Sequence, residues 1–231
     1  MSSKSSMITF ESEGRQIPAY LSHQAGNGTG KRPGIIIIHE WWGLVPHIKD
    51  VADRYAREGY VALAPDLFNG VYATSSDKAM ELSSSVSVDA SEKMIGSSLD
   101  HLRGSGLVQD SKIVITGFCF GGTHAFNFVC GSKYVAAGAI YYASRLPNDE
   151  KLKRISTPLL LIYGDQDRSV KPEQARDLEE KLRRMGKDAR LLSYPGCPHA
   201  FFNDQSPISY RPEAARDAWE KTLAFFRAHL S

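Results

Sequence analysis

Residues 31–43 read KRPGIIIIHEWWG, in which four β-branched isoleucines, Ile35 to Ile38, stand in a row between a Pro-Gly turn signal and the polar pair His39-Glu40. Such a run has no polar face to give to water, so it predicts a strand covered on both sides, and strands of that kind lie inside parallel sheets. A chain that buries this strand needs helices on both sides of it.

The remaining sequence provides them. Residues 46–59 carry Ile48, Val51, Ala52, Tyr55 and Ala56 at helical spacing and stop at Gly59, a C-cap signal. YVALAPD is a second short strand. The stretch from Asp77 to Leu102 reads as one or two helices, with its serine-rich SSSVSVD expected to form a flexible loop over a site. KIVITG at 112–117 is a strand, followed by FCFGG and an apolar helical run from Thr123 to Cys130. AAGAIYYA, PLLLIYGD and ARLLSYPG are further strands, separated by an amphipathic helix at 172–186 and closed by a helix at 212–229 with Ala215, Ala218, Trp219, Leu223 and Phe226 on one face. This alternation predicts an α/β fold: a mostly parallel central sheet with helices on both faces and functional groups at the carboxyl ends of its strands. With no repeat or linker in 231 residues, a single domain over 1–231 is expected.

An apolar fraction of 42%, a charged fraction of 23% and a net charge of +2 with no strong local bias give little support to nucleic acid or an anionic membrane as partner. The start MSSKSSMITFESEG lacks the apolar stretch of a secretory signal, and no later run approaches a membrane span, so a cytoplasmic protein is expected, as a monomer or small homo-oligomer. Three cysteines, Cys119, Cys130 and Cys197, form no CxxC pair and suit a reducing compartment. No HExxH or comparable cluster calls for a metal, and nothing calls for a cofactor.

Chemistry enters at Gly117-Phe118-Cys119-Phe120-Gly121-Gly122, which sits between a strand and a helix. In that context the pattern G-x-S-x-G is a nucleophile elbow, here with cysteine in place of serine. The turn crowds its backbone, so small residues are required at Gly117 and Gly121, and it holds the sulfur at a helix N-terminus, where partial positive charge favours thiolate. A free cysteine is more commonly a small buried hydrophobe, which is the reading for Cys130 on the apolar face of the following helix. Cys197 precedes Pro198-His199 and is placed beside the site.

A nucleophile of this kind needs a base and a group that orients the base, and both follow in chain order. Asp167, in GDQD just past PLLLIYG, supplies the carboxylate; Asp165 is its local rival, set aside because the turn must first leave the strand. His199, in CPHAF before the final helix, supplies the base. The loop HEWWG ends the isoleucine strand, where this type of site draws one oxyanion-binding amide, the other coming from the residue after the nucleophile; that nominates the backbones of Trp41 and Phe120. Glu40 would repel a substrate oxyanion unless it holds or deprotonates the thiol in the empty site; the plain alternative is a solvated loop residue. Trp42, with Trp41, reads as a pocket wall that is also core.

Together HEWWG, GFCFGG, GDQD and CPHAF resemble the dienelactone hydrolase (carboxymethylenebutenolidase) family, in order and over nearly the whole chain, and YRPEAARDAWEKTLAFF resembles its last helix. The resemblance implies an α/β-hydrolase fold without a large cap domain, a triad of Cys119, His199 and Asp167, Glu40 acting on the thiol, and hydrolysis of a small ester or lactone through an acyl-thioester. The family's carboxylate-binding arginines have no counterpart between Phe68 and Leu102 or just after His199, where Ala200, Phe201, Phe202 and Asn203 stand. Phe201 and Phe202 are accordingly expected to give the pocket an apolar patch, with Arg145 or Arg211 approaching from elsewhere. The competing class is a thiol-based redox sensor or binding protein that keeps the fold and uses Cys119 as an oxidisable group.

Overall fold

The computed structural model describes residues 3–25 and 30–231. Among them are eight strands and seven helices, divided between two compact units, Met1–Ile115 and Thr116–Ser231.

The first unit begins with an antiparallel hairpin that sequence inspection did not find. Strands β1 (Ser3–Ser12) and β2 (Arg15–Gln24) pair from Ser12↔Arg15 to Ser3↔Gln24 across a Glu13-Gly14 turn. Both turn residues have positive φ, 49° and 77°, the backbone that matches a two-residue hairpin to the twist of its strands. The polar, mostly exposed face of β1 hides the alternation by which strands are recognised. β2 then pairs antiparallel with β4 (Val61–Pro65), and β4 pairs parallel with β3 (Arg32–Ile38). Ile35 to Ile38 on β3 are fully buried, as the unbroken isoleucine run requires.

Helix α1 (Pro46–Arg57) starts on a proline and buries Ile48, Val51, Ala52, Tyr55 and Ala56. Its end is closed by Gly59 at φ 96°, which lets the Tyr60 amide donate to the Tyr55 carbonyl at 3.1 Å. The serine-rich segment is not a loop. α2 (Ser76–Ser85) and α3 (Val88–Gly104) are separated by two residues, and the serines serve the helices: Ser75 caps α2 and Ser87 caps α3, accepting from the Ala90 amide at 3.1 Å. β5 (Val108–Phe118) follows and runs through the boundary between the units.

In the second unit the end of β5 leads into α4 (Phe120–Gly131), β6 (Gly138–Tyr141), the short α5 (Asp149–Lys153), β7 (Leu159–Gly164), α6 (Pro172–Arg184), β8 (Ala189–Tyr194) and α7 (Pro212–Leu230). β6, β7 and β8 are parallel neighbours, with Gly138 opposite Leu159 and Leu159 opposite Ala189. α4 is buried along its entire length from Phe120 to Cys130, which is why its sequence is apolar all round rather than striped. Cys130 is 1% exposed and belongs to this core. Among the described residues no helix is long and apolar enough to cross a membrane.

Candidate active site

In the second unit the carboxyl ends of β5, β7 and β8 deliver Cys119, Asp167 and His199. Cys119 is the residue between β5 and α4, with φ 56° and ψ −115°, a conformation that L side chains rarely adopt. The surroundings hold it there. Its amide donates to the Tyr141 carbonyl at 3.1 Å, and its carbonyl accepts from Thr123 N at 3.0 Å and Ser144 N at 3.3 Å. The turn is too tight for side chains at its glycines: a Cβ on Gly117 would lie 2.2 Å from the Gly121 carbonyl oxygen, and one on Gly122 would lie 2.6 Å from that of Tyr141. Phe120 opens α4, so its amide lies at the helix end that carries partial positive charge, next to the sulfur-bearing residue.

The loops after β7 and β8 are joined to one another. Asp165 N donates to the Tyr194 carbonyl at 3.0 Å, Gln166 N to that of Cys197 at 3.0 Å, and Gly196 N to Asp165 Oδ1 at 2.7 Å. Gly164 makes the approach possible, since a Cβ there would come within 2.0 Å of the Cys197 carbonyl oxygen. Asp165 therefore fastens the histidine loop, and Asp167 meets the histidine. Asp167 is 3% exposed; its Oδ1 accepts from Ser169 N at 2.7 Å and Val170 N at 3.4 Å, while Oδ2 lies 2.8 Å from His199 Nδ1.

An ionised carboxylate only accepts, so Nδ1 carries the proton in this pair and Nε2 is left for a second partner. Burial opposes charge on His199. The hydrogen bond to the Asp167 carboxylate, with the Cys119 side chain acting in the same direction, outweighs that cost, pushing its pKa up to about 10. The Tyr142 ring stands edge-on to the imidazole at 5.1 Å between centroids. A cleft of about 850 Å³ opens beside His199 and Asp167, with Arg168, Lys171, Ser169 and Ser209 among its lining.

Two residues that sequence inspection did not nominate belong here. Ser144 Oγ lies 3.3 Å from Cys119 Sγ, and Tyr142 faces the base. Both come just after or at the end of β6, so the rule that functional groups gather at carboxyl ends of parallel strands was the available signal.

Phe201 and Phe202 are a correction. They are 0% and 1% exposed and do not present an apolar patch to a pocket. Phe202 stacks on Phe118 at 5.3 Å and packs against Tyr141 at 5.0 Å, while Phe201 packs against Tyr194 at 5.2 Å. The turn at Ala200, with φ 61°, sends the chain from the solvent-facing histidine back into the core. Phe202→Ala is expected to lower the unfolding free energy by about 3–5 kcal/mol in urea titration, with relative rates on short and bulky esters unchanged. A changed ester preference at unaltered stability would return Phe202 to the pocket.

Arg145 is exposed, and the Arg211 guanidinium donates to the Ile208 and Tyr210 carbonyls, both at 3.0 Å. Cys197 is 3% exposed, and its burial pushes the thiol pKa up, so it stays protonated.

The HEWWG loop lies in the first unit. Glu40 is 1% exposed, which removes the solvated-loop alternative. His39 is fully buried, and its burial lowers its pKa despite the nearby Asp66. Its Nε2 accepts from Leu67 N at 3.0 Å, so Nδ1 carries the proton and donates to the Glu40 carbonyl at 2.6 Å. The same carbonyl accepts from Gly43 N at 3.1 Å, so the loop backbone is pinned at Glu40 from two directions. Trp41 and Trp42 are half-buried and meet edge-to-face at 5.1 Å between ring centroids.

The profile of the dienelactone hydrolase family matches residues 17–230. The chain is 34% identical to "Protein usf" of Aquifex pyrophilus, over 97% of this chain and 99% of that one. It is 29% identical to a "Putative carboxymethylenebutenolidase" of Aquifex aeolicus, over 97% and 98% of the two chains. The crystal structure of a "Putative Dienelactone Hydrolase" from Klebsiella pneumoniae superposes with a TM-score of 0.91 at 25% identity, over 98% of this chain and 99% of that one. With a family match that runs almost from end to end and a likeness in structure to match, the chain belongs to the dienelactone hydrolase family and has the α/β-hydrolase fold.

Proposed function

We propose that this hydrolase opens a small ester or lactone through a thioester on Cys119, with His199 as base and acid and Asp167 as the group that orients it. One observation carries the reading: the half-buried imidazole of His199 is held through Nδ1 at 2.8 Å by the buried Asp167 carboxylate, in the same unit in which Cys119 occupies a strand-to-helix turn at φ 56°. The family match extends through both units, which supports treating residues 1–231 as one domain. The thiol-sensor alternative is not favoured, because a sensor has no need of an oriented base and the family is one of hydrolases.

The steps follow from the groups. His199 holds the proton of Cys119, and the thiolate attacks the substrate carbonyl; a C–S bond forms as the carbonyl electron pair moves onto oxygen. The amide of Phe120, at the start of α4, stabilises that oxyanion. When it collapses, the C–O bond breaks and the leaving alkoxide takes the proton from His199 Nε2; in a lactone the alcohol stays attached to the acyl group. Water then gives a proton to His199 and adds to the thioester, and the thiolate departs from the carboxylic acid.

The reading is tested by intact mass spectrometry of a rapidly quenched reaction with p-nitrophenyl acetate. An added acetyl group that maps to the Cys119 peptide and disappears as substrate runs out is expected. Full turnover with the acyl group on another residue, or with no adduct under rapid quench, would overturn the thioester route.

A further inference from the structure

We infer that Ser144 is a thiol-stabilising residue of this site, its hydroxyl donating a hydrogen bond to the Cys119 sulfur whenever that sulfur is a thiolate. The inference rests on the reading of Cys119 as the nucleophile. Ser144 Oγ and Cys119 Sγ are 3.3 Å apart, within hydrogen-bond range for sulfur. Between a hydroxyl and a thiol either atom can donate. A thiolate has no proton to give, so in the reactive form the direction is fixed from oxygen to sulfur.

The position of that hydroxyl is built by main chain. Tyr141 O receives the Cys119 amide at 3.1 Å, and Ser144 N donates back to the Cys119 carbonyl at 3.3 Å. One residue on, Arg145 N donates to Thr123 Oγ1 at 3.0 Å, and Thr123 N itself donates to the Cys119 carbonyl at 3.0 Å. The close approach of Gly122 to Tyr141 and Ala143 brings the two segments together. None of these contacts uses the Ser144 side chain, so removing its oxygen leaves the loop fastened and takes away one donor from the sulfur.

A donor that bonds the charged form favours it, and it also quiets it. Two opposed effects are therefore expected from Ser144: more thiolate at low pH, and a less nucleophilic thiolate once formed, since nucleophilicity falls with basicity. A residue that merely supported the turn would produce neither pattern.

The test is the pH dependence of Cys119 alkylation by iodoacetamide, followed on the Cys119 peptide, in wild type, Ser144→Ala and Ser144→Thr, with thiolate ultraviolet absorbance as a second readout. Ser144→Ala is expected to raise the midpoint by about one pH unit, a loss of about tenfold in rate below the midpoint. Above both midpoints its rate should equal or exceed that of wild type, and Ser144→Thr, which restores the hydroxyl, should bring the midpoint back. An unchanged midpoint in Ser144→Ala, a uniform loss of rate at every pH, or failure of threonine to restore it would overturn the role. Retention of more than a tenth of wild-type ester turnover in Cys119→Ala would instead overturn the nucleophile reading itself, so the two failures are distinguishable.

Discussion

Cys119→Ala is expected to lower kcat/KM on p-nitrophenyl acetate by about 10⁴-fold or more, a loss of roughly 5 kcal/mol or greater in transition-state stabilisation. The size follows from what the residue does in the proposed route. Without the sulfur no covalent intermediate forms, and the remaining groups can only assist direct attack by water on the ester. Some turnover above background should persist, because oriented amides still stabilise an oxyanion. The fold should be little affected: alanine keeps the Cβ at φ 56°, and the backbone bonds to Tyr141, Thr123 and Ser144 are untouched. Steady-state kinetics paired with urea unfolding checks both halves. Retention of more than a tenth of wild-type activity would end the case for a thioester.

Asp167→Asn should cost nearly as much, about 10⁴-fold in kcat, for a reason visible in the hydrogen bonds. Ser169 N and Val170 N both donate to Oδ1, so the carbonyl oxygen of an introduced asparagine is drawn to that position. Its NH₂ group then points at His199 Nδ1, where Oδ2 now sits 2.8 Å away. A donor there requires Nδ1 to accept, which moves the ring proton to Nε2 and turns the wrong face to the sulfur. Loss of the carboxylate also removes one of the groups that raise the pKa of His199 to about 10. Because that pKa is raised above the ordinary value of 6.5, the stability it contributes is full below pH 6.5 and fades as pH climbs through about 10. The variant should accordingly lose more stability at pH 6 than at pH 10, measured by urea unfolding at both. Equal loss at the two values, or near wild-type kcat, would count against the assignment.

The sequence carried the site better than its periphery. Cys119, Asp167 and His199 could be nominated because each follows a strongly apolar strand and the fold sets the order of such groups; in the structure Asp167 meets His199 and Asp165 meets Gly196. Ser144 carried only a general signal, its place just after the carboxyl end of β6, and what brings it to the sulfur is main-chain bonding between that segment and the Cys119 turn. The two phenylalanines misled because apolar residues beside a catalytic histidine look alike whether they face substrate or core, and only the φ of Ala200 decides. In the fold, isoleucine-rich β3 declared itself, whereas the β1–β2 hairpin, one-sided and polar, did not. The serine run was mistaken for a loop because serine serves equally as a linker and as the cap that starts a helix.

The stitching of the β7 loop to the β8 loop has a bearing on how such a site diversifies. Its anchors are largely main-chain amides and carbonyls, at Asp165, Gln166, Tyr194, Gly196 and Cys197, together with the Asp165 carboxylate and the missing side chain of Gly164. Side chains at Gln166, Arg168 and Ser169 take no part in those anchors, yet they line the cleft beside His199. Selection, natural or in the laboratory, is thus free to rewrite this wall of the cleft while the His199–Asp167 pair keeps its register, and on the proposed function a library confined to those three positions should yield altered ester preferences far more often than dead proteins.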